Sequence, residues 1–562
     1  MNEFTKQIAE SISEHLPLEA DETEKMLEVP PKMDMGDYAF PCFSFAKSMK
    51  KAPAAIAAEI AQNMKIPALV KEVKGAGPYL NFFIDRAEFT KRFLTRAIER
   101  TLDYGCSKSG AGKTVVVDFS SPNIAKPFGI GHLRSTVIGG ALCRIFEALG
   151  YNVVGINHLG DWGTQIGKMM VAFKRWEDGE KFKADPIAHS YELYKKFHSE
   201  AEKDPALEEE ARDYFKRLEG GDPEAKAFWQ RFMDISMSEF KRVYEKLGVR
   251  FDHFTGESFY NDKTEKTIEL LKKKGLASES DGALVVDLGK EMPPCLLRKA
   301  DGATLYATRD LAAAIYRHEQ FDFDLCLYVV GYPQELHFRQ FFKVLKLAGF
   351  DWSDNMNHVP FGHILGMSTR KGTLVLLDEV LNEAVSRASE IIAEKNPDLD
   401  NPAEVAEAIG VGAVIFNDLK NSRAKDVNFD WNAILSFDGE TGPYIQYSHV
   451  RFAGLLRHFE GEPPSPDSVD FGLLSEPEEW QLVRDIEKWP SVIAQAAAEF
   501  EPSVISTYLL LIASDFNRFY QKHRIVGDDE SLTAARLALV MALKNVLARG
   551  LSMLGMKALE KM

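Results

Sequence analysis

The sequence predicts an α/β protein with a doubly wound, parallel-sheet core, a small N-terminal α/β domain ahead of it and a C-terminal α-helical bundle behind it. Three observations predict this. Thr114–Phe119 (TVVVDF) is β-branched and apolar, as a buried parallel strand should be. Leu133, Val137, Ile138, Leu142, Ile145, Phe146 and Leu149 then recur at helical spacing until Gly150, and Val153–Asn157 supplies the next strand. Strand, helix and strand make the unit of a Rossmann-like sheet, whose ligands sit at the carboxyl ends of the strands. Beyond about residue 400 the alternation ends and long helical patterns take over.

At 562 residues the chain is long enough for several domains. Its 45% hydrophobic and 27% charged content is that of a globular protein. No uninterrupted apolar run reaches about 18 residues, so no membrane span is expected. Phe4, Ile8, Ile12 and Leu16 alternate with Glu3, Lys6 and Glu10 in an amphipathic helix, unlike a secretion signal. Cys42, Cys106, Cys143, Cys295 and Cys326 are scattered and odd in number. Neither a disulfide framework nor a zinc site follows, no metal ligand set is assigned, and a reducing cytoplasm is the expected location. The net charge of −16 weighs against a nucleic-acid partner, because phosphate contacts need Lys and Arg. A whole-molecule sum nevertheless leaves room for a locally basic face.

Residues 1–108 read as the small α/β domain: a first helix, a short extended piece, an alanine-rich helix, and Lys74–Asp85 as one strand. Tyr104–Gly112 (YGCSKSGAG) links it to the core, residues 109–400. His158–Met170 closes the second unit of the core with Gly-rich turns, and residues 171–250 read as an insertion of solvated, densely charged helices. Leu296–Arg317 runs from a turn into a helix that projects Tyr306 and Asp310 from one face. A carboxylate beside an aromatic ring suits a guanidinium, which takes bidentate hydrogen bonds and a stacking surface; a solvated charge is the competing reading. Residues 401–562 form the helical bundle, where Tyr444, Tyr447 and Arg451 share one helical face. Such a face can stack splayed bases and hold phosphates, or it can be core.

The most informative stretch joins the first strand to its helix: Ser120 to Ser135, SSPNIAKPFGIGHLRS. Pro122 and Pro127 stiffen it, Gly129 and Gly131 leave the backbone open, and a helix N-terminus offers free N–H groups to a phosphate. Lys126 and His132 add donors.

This stretch resembles the HIGH segment of class I aminoacyl-tRNA synthetases, in the form carried by arginyl-tRNA synthetases. Gly129 stands in place of the first HIGH histidine. The resemblance continues in collinear order. GDYAFPCF and GPYLNFF resemble the family's N-terminal domain, which contacts the tRNA elbow, and place Asn81, Phe82 and Phe83 there. Glu257 (in FDHFTGESFY), Tyr306, Asp310 and Gln334 (in LYVVGYPQELHF) match arginine-binding positions, with Ser121, Pro122, Asn123 and His132 at the amino-acid backbone end. Phe361–Leu381 resembles the second phosphate loop, KMSKS, in a degenerate form: Gly366 and Thr369 stand where its lysines would be. Met367 and Ser368, with Pro127, Gly129, Gly131 and His132, are then the ATP-binding residues; Lys126, His132, Arg370 and Lys371 are the catalytic cations. Phe416–Arg451 and the closing helices resemble the family's anticodon-binding domain and add Tyr520 and Met562 to Tyr444, Tyr447 and Arg451.

The resemblance implies an ATP-dependent ligase that forms arginyl-adenylate and passes arginine to the 3′ end of arginine tRNA. ATP with Mg2+, L-arginine and the tRNA are its expected partners, a monomer its expected state, and bound tRNA its expected requirement for activation. Two rivals differ in class. A tRNA-binding protein with little activation would be motivated by Gly129 and the missing loop lysines. A nucleotidyltransferase acting on a small metabolite would have no reason to carry the C-terminal helices.

Overall fold

The computed structural model describes residues 3–124, 126, 128–300, 302, 304–366, 375–459, 461 and 464–562. The chain opens with a helix, Glu3–Ser13, that buries Phe4, Ile8 and Ile12, one residue per turn. Strands β1 (Tyr38–Pro41), β2 (Val70–Ala76) and β3 (Tyr79–Ile84) make an antiparallel sheet in the order β1-β3-β2. The single strand expected over Lys74–Asp85 is therefore two. Gly77, at φ 56°, turns the chain between β2 and β3, a conformation glycine adopts without a Cβ penalty.

Strand periodicity corrects the elbow assignment as well. Successive side chains alternate faces, and Phe82 (0% exposed) points into the core while Asn81 (5%) is buried against the neighbouring strands. Neither side chain is available to a base. Phe83 alone of the three shows a partly open face, with the Lys74 ammonium 4.9 Å from its ring centroid.

Helix Arg86–Glu99 leads to the linker, which is fastened and not loose. The Tyr104 hydroxyl donates to the Ile486 carbonyl at 3.0 Å, and the buried Trp489 indole donates back to the Tyr104 carbonyl at 3.0 Å. The Arg86 guanidinium lies 4.8 Å from the Trp480 ring centroid, so the N-terminal sheet domain is packed on the C-terminal helices.

The core sheet holds β4 (Thr114–Asp118), β5 (Asn152–Asn157) and β6 (His253–Phe254). A separate antiparallel sheet of β7 (Ala277–Ser280), β8 (Ala283–Val286) and β9 (Cys295–Arg298) follows in the chain. The core is then completed by β10 (Leu325–Tyr328) and β11 (Met356–His358). Its order is β11-β10-β4-β5-β6 with every pair parallel. The chain winds one way from β4 through β5 to β6, then crosses to β10 on the other side, which is the doubly wound pattern. Helix Leu133–Ala148 is buried along nearly its whole length, and Gly150, at φ 83°, ends it.

Helices Gly179–Ala184, Pro186–Ala201, Ala206–Glu219 and Pro223–Lys246 form the insertion. They are not merely solvated: Phe232, Phe240 and Tyr244 are buried, and the last helix reaches the core loop. The helical region starts earlier than about 400, at Leu377, and runs through Leu377–Lys395, Pro402–Leu419, Gly442–His458, Pro477–Ala498, Ser503–Lys522 and Glu530–Leu554. The last of these is long and apolar enough to cross a membrane, but 67% of its most apolar window is buried in the bundle. Two short strands, β12 (Ile364–Leu365) and β13 (Val427–Asn428), pair in parallel between core and bundle.

Candidate active site

The switch point of the sheet lies between β4 and β10, whose last residues, Asp118 and Tyr328, are register partners. A crevice is expected there. A cavity of about 540 Å³ opens at this place, with Asp118 and Tyr328 in its wall. Ser121 and Asn123 reach it from the loop after β4, His158 from the end of β5, Glu257 from the turn after β6, Tyr306 and Asp310 from helix Tyr306–Phe321, and Gln334 and His337 from the turn and helix after β10. Six of the sequence-predicted arginine-binding residues thus line one cavity; Pro122 and His132 are not in its wall.

Among the described residues three carboxylates face this space, and each has a different partner. Asp118 is answered by the fully buried Arg317, Nη2 to Oδ2 at 2.8 Å. Asp118's field holds Arg317 charged against its burial, well above its usual pKa. Glu257 lies 3.4 Å from Arg309 Nε, yet burial outweighs that charge and pushes its carboxyl up to about 7. Asp310 accepts a hydrogen bond from His337 Nε2 at 2.5 Å. Burial pushes Asp310 up, but the hydrogen bond and positive field of His337 prevail and hold it below the usual carboxylate value.

The turn that carries Glu257 is pinned from below. Asp161, 1% exposed, accepts from the Ser258 amide at 2.8 Å and the Ser258 hydroxyl at 2.5 Å, and the Glu257 amide donates to the Leu159 carbonyl at 3.0 Å. Trp229, in the insertion, donates to the Asp161 carbonyl at 2.8 Å.

The loop after β4 is equally constrained. Ser120 and Ser121 both sit at positive φ, 71° and 47°, costing about 1–3 kcal/mol each. They are held there: the Ser120 amide donates to Ser135 Oγ at 2.8 Å, Ser120 Oγ pairs with the Tyr244 hydroxyl at 2.8 Å, and the Ser121 hydroxyl donates to Asp118 at 3.1 Å. Gly160 packs so closely that a Cβ would lie 2.1 Å from Asn123 Oδ1, so any larger residue would displace that side chain from its place in the cavity wall. Further on, the Ile130 amide donates to Val375 and the Leu377 amide donates to Phe128, both at 2.9 Å. The Gly129–His132 stretch is therefore bonded directly to the residues that follow 367–374. Pro127, Met367, Ser368, Arg370 and Lys371 lie outside the described residues.

His132 rests against the Phe128 ring at 5.2 Å, and burial lowers its pKa, so it is neutral at pH 7. Gly129 is extended (φ −81°), and a Cβ on Gly131 would meet open space. Lys126 stands over the Tyr194 ring of the insertion at 5.5 Å, with its pKa lowered by burial and by the nearby Lys168.

Residues 94–431 match the family model for the class I tRNA synthetase (R) catalytic domain, residues 445–562 that of the DALR anticodon binding domain, and residues 2–84 that of the arginyl tRNA synthetase N terminal domain. The chain belongs to the arginyl-tRNA synthetases. An arginine–tRNA ligase of Clostridium beijerinckii is 51% identical over 566 residues, and one of Clostridium perfringens 49%; each comparison spans 100% of both chains. The solved arginyl-tRNA synthetase of Thermus thermophilus superposes with a TM-score of 0.82 at 28% identity, covering 99% of each chain.

In this synthetase the C-terminal aromatic group is assembled from two helices. Arg451 lies between Tyr447 and Tyr520, 5.6 and 4.7 Å from their centroids, and donates to Asn517 Oδ1 at 2.6 Å. Asn517 in turn donates to the Tyr444 hydroxyl at 2.7 Å. Tyr447 is 43% and Tyr520 41% exposed, so both rings are open for stacking. Met562 packs against the cluster of Ile392, Leu399 and Ile409, and its carbonyl accepts from Asn396.

Sequence reasoning missed Asp118, His158, Arg309 and His337, all in the cavity wall. For Asp118 and His158 a signal existed, since each stands at or just after the carboxyl end of a core strand. Arg309 and His337 look like ordinary helix residues in the sequence.

Proposed function

We propose that the cavity binds L-arginine, and that this synthetase activates it with ATP to arginyl-adenylate before passing it to the 3′ end of arginine tRNA, releasing pyrophosphate and AMP. One observation carries the reading. Of the three carboxylates that face the cavity among the described residues, two lie beside internal guanidinium groups, while Asp310 has imidazole as its partner and keeps its charge. A planar cation entering the cavity finds its anchor there.

In this reading Asp310 and Glu257 take the guanidinium and Tyr306 covers it; Ser121, Asn123 and Gln334, all in the cavity wall, hold the amino and carboxyl end, while Pro122 and His132, outside that wall, shape the loop that carries Ser121 and Asn123. The arginine carboxylate attacks the α-phosphate in line, and a hydroxyl of the terminal ribose then attacks the adenylate carbonyl. No side chain needs to become a covalent nucleophile; positioning and charge stabilisation supply the rate. Pro127, Gly129, Gly131, His132, Met367 and Ser368 cradle ATP; Lys126, Arg370 and Lys371 supply the charge that stabilises the departing pyrophosphate, and His132, neutral at pH 7 and so not the cation expected from the sequence, contributes a hydrogen bond. Residues 120–135 contain no carboxylate, so Mg2+ fits this site as a counter-ion carried in by ATP. Phe83 faces the tRNA elbow, and Tyr444, Tyr447, Arg451, Tyr520 and Met562 form the anticodon side. The three domains act as units of residues 1–108, 109–400 and 401–562, in a cytoplasmic monomer.

The test is arginine-dependent exchange of pyrophosphate into ATP. Exchange is expected with tRNA present and not without it; full exchange without tRNA would remove the tRNA requirement. Lys126→Ala is expected to lower exchange about a hundredfold, the usual cost of one transition-state donor, while filter binding of tRNA persists.

A pH dependence follows from Glu257. With its carboxyl pushed up to about 7, it holds a proton below that pH and lacks the charge a guanidinium needs. KM for arginine should therefore fall as the pH rises through about 7, and Glu257→Gln should flatten that part of the profile.

A further inference from the structure

We propose that His337 is a positioning residue that sets the side-chain specificity of the site by locking the carboxylate of Asp310 in one orientation; this rests on Asp310 being the guanidinium anchor.

The two residues come from different helices, Tyr306–Phe321 and Glu335–Leu347, and meet at the cavity wall. His337 Nε2 donates to Asp310 Oδ2 at 2.5 Å, the short distance of a charge-assisted hydrogen bond. The imidazole also packs against the rings of Phe341 and Phe338, with centroids 5.5 and 5.6 Å away. It is therefore a fixed donor.

The other carboxylate oxygen, Oδ1, is left to the cavity. Among the described residues its basic neighbour is His158 Nε2 at 3.9 Å, beyond hydrogen-bond reach. His158 is itself oriented. Arg317 Nη2 lies 3.5 Å from His158 Nδ1 and pairs with Asp118. A guanidinium only donates, so Nδ1 accepts and the ring proton sits on Nε2, on the side of Asp310. One oxygen of Asp310 thus takes a single hydrogen bond and keeps a second lone pair, the other accepts none among the described residues, and the His337 bond biases the plane of the carboxylate.

That plane matters for one kind of ligand. A guanidinium is flat and its N–H bonds must lie in the plane of the carboxylate they address, whereas an ammonium is a compact charge indifferent to it. Locking the plane therefore favours arginine over lysine without adding any contact to the substrate.

The experiment is tRNA arginylation by the full-length enzyme and four variants: His337→Leu, His337→Gln, Asp310→Asn and His337→Leu combined with Asp310→Asn. Thermal melts check that each is folded. His337→Leu should raise KM for arginine about tenfold, the scale of one hydrogen bond to a charged group, and lower kcat by less. His337→Gln, whose amide can reach the same oxygen, should recover most of that loss. Lysine, tested as a competitive inhibitor, should be affected less than arginine, so the gap between them narrows.

A role in packing alone predicts the reverse order, since leucine fills the space beside Phe341 better than glutamine does; that order would overturn the proposal. In the Asp310→Asn background, His337→Leu should add nothing further to KM, and an undiminished effect there would also overturn it. A raised KM in Asp310→Asn with no change in His337→Leu removes the positioning role alone. An unchanged KM in Asp310→Asn removes the guanidinium anchor, and the proposal with it.

Discussion

Asp310→Asn should lower the efficiency of arginine activation by roughly a hundred- to a thousandfold, through KM, and should leave the melting temperature close to that of the parent. The loss is large because Asp310 is the cavity carboxylate whose charge is maintained against burial. Removing one member of a sheltered, hydrogen-bonded charge pair costs about 2–5 kcal/mol of binding. Asparagine keeps the shape and one acceptor oxygen, so the change isolates the charge. Stability should be spared because both side chains stand in the wall of an open cavity, about a quarter exposed (25% and 24%), where water can solvate what remains; the shelter that makes the charge costly to lose is completed only when a ligand fills the cavity. Steady-state arginylation over a range of arginine concentrations, beside a thermal melt, reads both effects.

Arg134→Met should destabilise the protein by about 3–5 kcal/mol, the cost of stranding one charge of a buried pair. Arg134 is 1% and Asp418 2% exposed, and Nε donates to Oδ2 at 2.9 Å. Nη1 donates to the Lys425 carbonyl at 2.7 Å, and Phe361 lies 5.8 Å from the guanidinium. One side chain thus ties the helix that follows His132 to helix Pro402–Leu419 and to the segment just ahead of β13. Burial already raises the Asp418 carboxyl to about 6 with Arg134 in place. In the variant it rises further, so the folded form retains a proton that the unfolded chain loses. The stability deficit should accordingly grow as the pH rises from acid towards neutral and shrink on the acid side. Urea titrations at several pH values test this, and the double variant Arg134→Met/Asp418→Leu should recover most of the loss, since neither charge is then left alone.

Much of the core was legible because its signals are local. The β-branched run of β4, the helical spacing up to Gly150 and the strand Val153–Asn157 each lie within a few residues and fall where expected. What failed depended on distant partners. Nothing near Leu325 says that β10 lies beside β4, some two hundred residues away, although that pairing creates the switch point and the cavity. Phe82 and Phe83 were indistinguishable by type; the alternation of a strand requires them to face opposite ways, but only the packed sheet shows which one is inside. Arg309 and His337 sit on separate helices, and their relation to Glu257 and Asp310 exists only once those helices converge. The C-terminal aromatic group follows the same rule: Tyr447 and Arg451 share a helix and could be paired by spacing, whereas Tyr520 joins them from another.

The most direct test of the whole account is charging of total tRNA, with ATP, by each of the twenty amino acids in turn. Charging by arginine alone is the predicted result and would establish reaction, substrate and partner together. Charging by another amino acid, or retention of tRNA with no charging at all, would contradict the account.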